Sequence, residues 1–382
     1  MRARRLDSVP GFGIDKVAEA AGEDPKVLRM ENLDTDLPPP PGVVEATREA
    51  VGRIEYSSWL PFSGRYDMKE AVADHVESRS GIRYDPYSEI VITSGEGDGL
   101  LDALLATTDP GDEVILTDPT YAGMINRVRL AGAIPRLVEC RSVDGHWRLD
   151  VDGLRAAVGT KTRAIFVQNP TFPSGMVFTH EEWQAIADLV LERSLHLIYW
   201  SLMESILYDG RPLIHPASFP KMRGRTTTLG TVSLEYRMIG WRVGWVVSEA
   251  ETADAIGVVH TYNGLVASGF GQAGAVVALR SDPDDLTRAV QEFQRRRDIV
   301  MQQLEGLPVV TASGGWALLL DTEDMGISPP EASKRLLEHK VAATPMTVWG
   351  QTVAPRHIRF VFSREPVGRL QELGERVQKA LT

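Results

Sequence analysis

Between about Glu45 and Arg280 the chain alternates short apolar runs with longer segments of helical period. That pattern predicts an α/β layer protein with a mostly parallel sheet. The runs EIVIT (89–93), EVILT (113–117), RAIFVQ (163–168), HLIYW (196–200) and TTTLGTVS (226–233) are β-rich and bounded by Gly, Pro, Asp or Ser, so they read as buried strands that feed loops. In EEWQAIADLVLERS (181–194), Trp183, Ile186, Leu189 and Val190 share one face, which predicts an amphipathic helix packed on the sheet. Residues 285–307 read as one long helix leaving the larger unit. The strand-like LPVVTASGGWALLLDT, a helix near 329–339, HIRFVFS and a final helix at 365–381 then predict a small α/β unit. The expected division is an N-terminal segment of the small domain (1–45), a large domain (46–290) and a small C-terminal domain (291–382).

Composition narrows the partners. The 382 residues carry 41 Lys plus Arg against 52 Asp plus Glu, a net charge of −11. Such a balance argues against a nucleic-acid or anionic-membrane surface, since phosphates are bound by Lys and Arg. Cys140 is the one cysteine, so no intrachain disulfide or Cys-rich metal site is expected. The longest apolar runs, Leu195 to Trp200 and Gly315 to Leu320, are far short of the roughly 20 residues that span a bilayer. Residues 1–13 have a basic start without an apolar stretch, so no secretory leader is expected, and the protein is expected to be cytoplasmic. His180, His196 and His260 have no ligand spacing, and no metal is expected.

Eight segments, in order, resemble the fold type I aminotransferases that use pyridoxal phosphate (PLP): FSGRYDMKEAVADHV (62–76), TSGEGDGLLDALL (93–105), DPTYAGM (118–124), NPTFPSG (169–175), YDG (208–210), EYRMIGWRVGW (235–245), SGGWALL (313–319) and HIRFVFS (357–363). The resemblance implies an aspartate-aminotransferase-like large domain with a seven-stranded, mostly parallel sheet, a small domain, and a homodimer with sites at the subunit interface. It also implies that Arg359 clamps a substrate carboxylate through a bidentate fork. Tyr121 is then the aromatic that stacks on the cofactor ring, and Trp59 or Tyr56 is the residue that reaches the neighbouring subunit.

Set against the same family, several positions depart. The Schiff-base lysine lies eight residues before the arginine of the G-W-R run; here that position is Leu234, which has no amine. Trp200 stands where an aspartate pairs with the ring nitrogen, and an indole is donor-only. Phe172 replaces an asparagine that reaches the ring oxygen, while Asn169 opens the same run. In the phosphate turn, Gly95 and Gly97 alternate with Glu96 and Asp98, whereas Thr231, Ser233 and Arg242 remain to bind an anion.

These departures lead to the expectation of an aminotransferase-fold enzyme that has lost PLP-dependent transamination and needs no cofactor. It would act by acid/base chemistry on an amino-acid-derived carboxylate in a biosynthetic, specialised pathway: a cyclisation, isomerisation, condensation or dehydration. Glu96, Tyr121, Glu235 and Tyr236 are the catalytic candidates. Arg359, Trp59, Tyr56, Trp200, Phe172 and Asn169 are the substrate-binding candidates. Gly95, Gly97, Asp98, Thr231, Ser233, Leu234 and Arg242 would form the remnant anion pocket. The alternatives are a non-catalytic metabolite-binding relative and a conventional PLP-dependent aminotransferase.

Overall fold

The strand-like runs pair side by side in a computed structural model that describes residues 3–11 and 13–382. Met1, Arg2 and Phe12, part of the stretch read for a leader, lie outside the described residues. In chain order the first strands are β1 (Leu28–Arg29), β2 (Ile90–Thr93), β3 (Glu113–Asp118), β4 (Ile134–Val143), β5 (His146–Leu149), β6 (Thr162–Gln168) and β7 (His196–Trp200). They continue as β8 (Thr226–Thr231), β9 (Gly244–Val247), β10 (Val309–Val310), β11 (Ala317–Asp321), β12 (Val341–Ala342), β13 (Thr344–Pro345) and β14 (His357–Val361).

The large sheet has the order β2-β9-β8-β7-β6-β3-β4-β5. Strands β8, β7, β6, β3 and β4 run parallel, and β9 is antiparallel to both its neighbours. The expected seven strands are extended by an eighth, because β4 turns back at Asp144 and Gly145, both at positive φ, to form a hairpin with β5. Strands β2, β3, β8 and β9 are buried throughout, which is why they read as unbroken apolar or Thr-rich runs rather than as alternation. The run 226–233 leaves the strand at Thr231, whose hydroxyl captures the Ser233 N–H (3.1 Å).

A second sheet, β10-β11-β14-β13, is antiparallel, and β1 pairs with β12 in a two-stranded ribbon. The 21-residue helix Pro283–Gln303 runs between the large sheet and the second one, two residues ahead of the sequence expectation, with Asp282 as its N-cap. The final helix is broken into Val367–Leu370 and Leu373–Leu381. There the Gly374 N–H is taken by the Gln303 side chain (3.1 Å) rather than by a carbonyl of its own helix.

One carboxylate ties the second unit to the first. Asp118, buried at the end of β3, accepts the backbone N–H groups of Gln351 (2.8 Å), Thr352 (2.6 Å), Val353 (3.1 Å) and Ala354 (2.9 Å). These are the free donors ahead of the turn Ala354–Arg356, so a strand end of one sheet caps a loop of the other. Gly350 makes the approach feasible, since a Cβ there would run into the Asp118 carboxylate. Asp118→Asn would turn an acceptor edge into donors facing N–H groups. It is expected to lower stability by about 3 kcal/mol, the scale of hydrogen bonds to a charged group, measured by urea denaturation. An unchanged midpoint would show that the clamp carries no net stability.

Candidate functional site

In open α/β sheets, ligand crevices form outside the carboxyl ends of the parallel strands. Here those ends are Asp118 (β3), Gln168 (β6), Trp200 (β7) and Thr231 (β8). The residues singled out from sequence divide there into distinct groups.

The first group is aromatic. Tyr121 lies 5.3 Å from Trp200, 5.8 Å from Trp349 and 6.1 Å from Phe172, ring centroid to centroid, and Phe172 meets Trp349 edge-on at 5.2 Å. Arg359, from β14, places its guanidinium 4.9 Å from the Phe172 ring centre and 4.7 Å from that of Trp349. One Nη2 proton goes to the Glu31 carbonyl, with Thr344 Oγ1 at 3.3 Å. Burial pushes Arg359 down to about 9, with Glu31 and Tyr121 opposing the shift. Nε and Nη1 of Arg359, the indole N–H groups of Trp200 and Trp349, and the Gln168 amide are buried donors without a partner among the described residues. Glu31, whose charge acts on Arg359, adds one buried acceptor without a hydrogen bond, Oε2, so donors outnumber acceptors here.

The second group surrounds the turn at the N-terminus of the helix Glu96–Thr107, with Gly95 at φ +87° as its N-cap. Ser233 Oγ donates to Glu96 Oε2 (3.3 Å), Thr231 Oγ1 is 2.8 Å from Ser233 Oγ, and Arg242 Nη2 is 3.7 Å from Glu96. Arg127, which the sequence reading missed, donates to the Gly97 and Gly123 carbonyls (2.9 and 3.0 Å). The Glu96 carboxylate thus stands as the anion among these groups. Asp98 turns to His260 (3.3 Å) and Asn263 (2.8 Å), and His260 also meets Asp102 (3.1 Å). His260 is therefore a buried ion-pair partner that linear spacing could not reveal.

The remaining candidates have other neighbours. Glu235 and Tyr236 do not join the aromatic group. Glu235 accepts the Ser205 N–H (2.5 Å) with Arg79 at 3.7 Å, and the Tyr236 hydroxyl is 3.3 Å from His75 Nδ1. Asn169 spends its side-chain oxygen on the Phe178 N–H (3.0 Å), bracing its own loop. Trp59 is 74% exposed against Phe62, and Tyr56 stacks with Arg53 and Arg65, so neither meets Arg359 within the chain. Leu234 is buried in the same hydrophobic core as Phe172, Trp200 and Trp349.

The cluster that claims Glu235 contains a second buried glutamate. Glu204 accepts from the Tyr199 hydroxyl (3.1 Å), with His75 at 3.9 Å. Burial pushes Glu204 up to about 8, with Arg79 opposing and Glu235 adding to the shift. Glu235 is raised too, first by burial, while His75 and His215 are driven down by theirs. Native Glu204 therefore binds its proton more tightly than the unfolded chain does between the ordinary carboxyl range and about 8. The stability this contributes is complete at pH 4.5 and is lost as pH rises through 8. Glu204→Gln is expected to flatten the decline of the wild-type urea midpoint between pH 5 and pH 9; parallel profiles would contradict it.

Tested against PLP, the residues fit unevenly. Thr231, Ser233 and Arg242 at a helix N-terminus suit a phosphate, and Tyr121 suits a stacked ring. The aldehyde and ring-nitrogen ends are not matched: Leu234 offers no amine, the Trp200 ring fills the strand end, and Glu96 occupies the anion turn.

Comparison with known proteins places these observations. The profile of the family described as Aminotransferase class I and II matches residues 28–377. Aromatic-amino-acid aminotransferase 2 of Thermococcus litoralis is 29% identical over 384 residues, covering 99% of this chain and 97% of the relative. Aspartate/prephenate aminotransferase of Thermus thermophilus is 30% identical over 360 residues, covering 92% and 87%. Among solved structures, N-succinyldiaminopimelate aminotransferase from Mycobacterium tuberculosis superposes with a TM-score of 0.94 at 25% identity, covering 100% of both chains. Aspartate aminotransferase from Thermus thermophilus with maleate gives 0.91 at 27%, again covering 100% of both. These relatives overturn the expectation of an enzyme that has left PLP-dependent transamination and needs no cofactor. They are named as aminotransferases, and their family points to PLP as the cofactor. The chain belongs to the class I and II aminotransferase family.

Proposed function

We propose that this protein is an aminotransferase that takes an α-amino acid or its keto acid at Arg359, with PLP as the cofactor to which its family points. One observation supports the substrate class: the group of unpartnered buried donors around Arg359, Trp200, Trp349 and Gln168. A carboxylate is acceptor-only and supplies what those donors lack. The chain's own contribution is then binding and orientation. The Arg359 fork fixes the carboxylate plane, and the Tyr121, Phe172 and Trp349 rings exclude water around it.

A second reading, non-catalytic binding of the same ligand, is favoured by Leu234, which has no amine to engage an aldehyde or move a proton. One assay separates the two: the protein supplied with PLP, a panel of amino acids and 2-oxoglutarate, with glutamate formation followed. Amino transfer that is absent from an Arg359→Ala variant is expected. No transfer from any amino acid would overturn the first reading. In either case Arg359→Ala is expected to weaken amino-acid binding by about 2–5 kcal/mol, the range for truncating one partner of a buried charge pair. Unaltered affinity in the folded variant would remove Arg359 from the site.

The family's homodimer is part of the proposal. Ile54 (76% exposed), Trp59 and Tyr262 (89% exposed) stand out of the chain as large apolar groups. The segments that carry them adjoin, since Gly269 admits the Tyr56 carbonyl where a Cβ could not. Sedimentation at micromolar concentration is expected to give a dimer, and Ile54→Asp with Trp59→Asp a monomer. A monomeric parent would contradict the assignment of this surface.

A further inference from the structure

A cavity of about 620 Å³ lies beyond the residues of the proposed amino-acid site. Its polar end is formed by His75 and Arg79, from the last turns of the helix Tyr66–Ser80, together with Ser205 and Tyr236. Its apolar wall is Leu279, at the end of the helix Gly269–Leu279, with Pro283, Leu286 and Val290 at the start of the helix Pro283–Gln303. The volume falls within the span of small-molecule pockets, and the lining combines an apolar body with a few convergent polar groups.

Most of those polar groups are already satisfied. Asp74 is paired with Arg83, and Asp282 caps its own helix by accepting the Asp284 N–H (3.0 Å). The hydroxyls of Ser78, Ser281 and Thr287 donate to the carbonyls of His75 (2.6 Å), Ala278 (2.7 Å) and Pro283 (3.1 Å). His75 Nδ1 is engaged by Tyr236. Arg79 is different. Its guanidinium bonds to Ser205 Oγ and the Tyr236 hydroxyl and is ion-paired with Glu235, but that pair, at 3.7 Å, is too long to be a hydrogen bond and leaves part of the fork open to a closer acceptor. A guanidinium has five N–H donors in a planar fork, and this one is largely buried, with 19% of its side chain exposed.

We propose that this cavity binds a small monocarboxylic acid with an apolar body, the carboxylate on Arg79 and the body against Leu279, Leu286 and Val290. A carboxylate presents two acceptor oxygens in the geometry of the fork, and the wall removes the apolar part from water. The glutamates behind Arg79 oppose this less than two full charges would, because burial holds both Glu204 and Glu235 towards their protonated forms. The cavity shares no lining residue with the aromatic group around Arg359, so the two sites are separable by mutation.

The test uses 4-phenylbutyrate and its uncharged amide, titrated calorimetrically into the full chain at pH 7. The acid is expected to bind at least about ten-fold more tightly than the amide, a difference of about 1.4 kcal/mol. Arg79→Gln should remove that preference. Leu286→Trp, at a half-buried position of the wall, should weaken the acid by a similar factor. It keeps the test decisive if loss of Arg79 disturbs folding, which circular dichroism would reveal. Arg359→Ala should leave this affinity unchanged, so failure here is distinct from failure of the amino-acid site. No binding at millimolar acid, equal affinity for acid and amide, indifference to Leu286→Trp, or dependence on Arg359 would each overturn the proposal.

Discussion

The interaction on which the rest depends is the acceptance of four backbone N–H groups by the single carboxylate of Asp118. A buried carboxylate has a high desolvation cost and persists only where enough donors converge on it. Here the donors come from a loop more than 230 residues away in sequence. The clamp fixes the loop that carries Trp349, and Thr120 adds a bond to the Trp349 carbonyl (2.9 Å). Without it, Phe172 and Tyr121 would lose the ring that completes their packing, and Arg359 one of its two aromatic faces.

Around that anchor the strand ends produce an unusual balance of polar groups. Arg359 is enclosed by aromatic rings with most of its donors idle, a costly arrangement for a buried cation unless an acceptor completes it. The neighbouring anion turn shows the reverse situation. There Glu96 already provides the negative charge for Ser233 and Arg242. In one region idle donors outnumber acceptors, with Glu31 Oε2 a buried acceptor left over, and the other is satisfied internally, although both lie at the carboxyl ends of the same sheet.

Much of this was legible in the sequence. Continuous apolar runs identified β2, β3, β6 and β7 because both faces of those strands are covered, and the order of short motifs identified the family that the profile match establishes. Leu234, Trp200 and Phe172 were legible as departures because each falls inside a motif. Arg359 was legible by its place in HIRFVFS, and the structure sets it on β14 opposite Leu319. Asp118 was visible within DPTY, yet nothing local distinguished it as a clamp. The inference from departures to chemistry was the weak step: missing groups at a few positions do not determine what the remaining chain does.

Sequence by itself determined the elements, their α/β order, the family and the identities at the site, because these depend on local period and short motifs. Tertiary structure decided which side chains share a space. Leu234, Glu235 and Tyr236 are consecutive, but the turn through Arg237, at φ +54°, sends them to different neighbours: the main core for Leu234, Ser205 and Arg79 for Glu235, His75 for Tyr236. His260 meets Asp98 and Asp102 from a helix more than 150 residues away, and Glu235 meets Arg79 across a similar distance in sequence. Such pairings are selected by burial and hydrogen-bond satisfaction over the whole fold, where an unpaired buried charge is heavily penalised. That constraint has no signature at the scale of a motif.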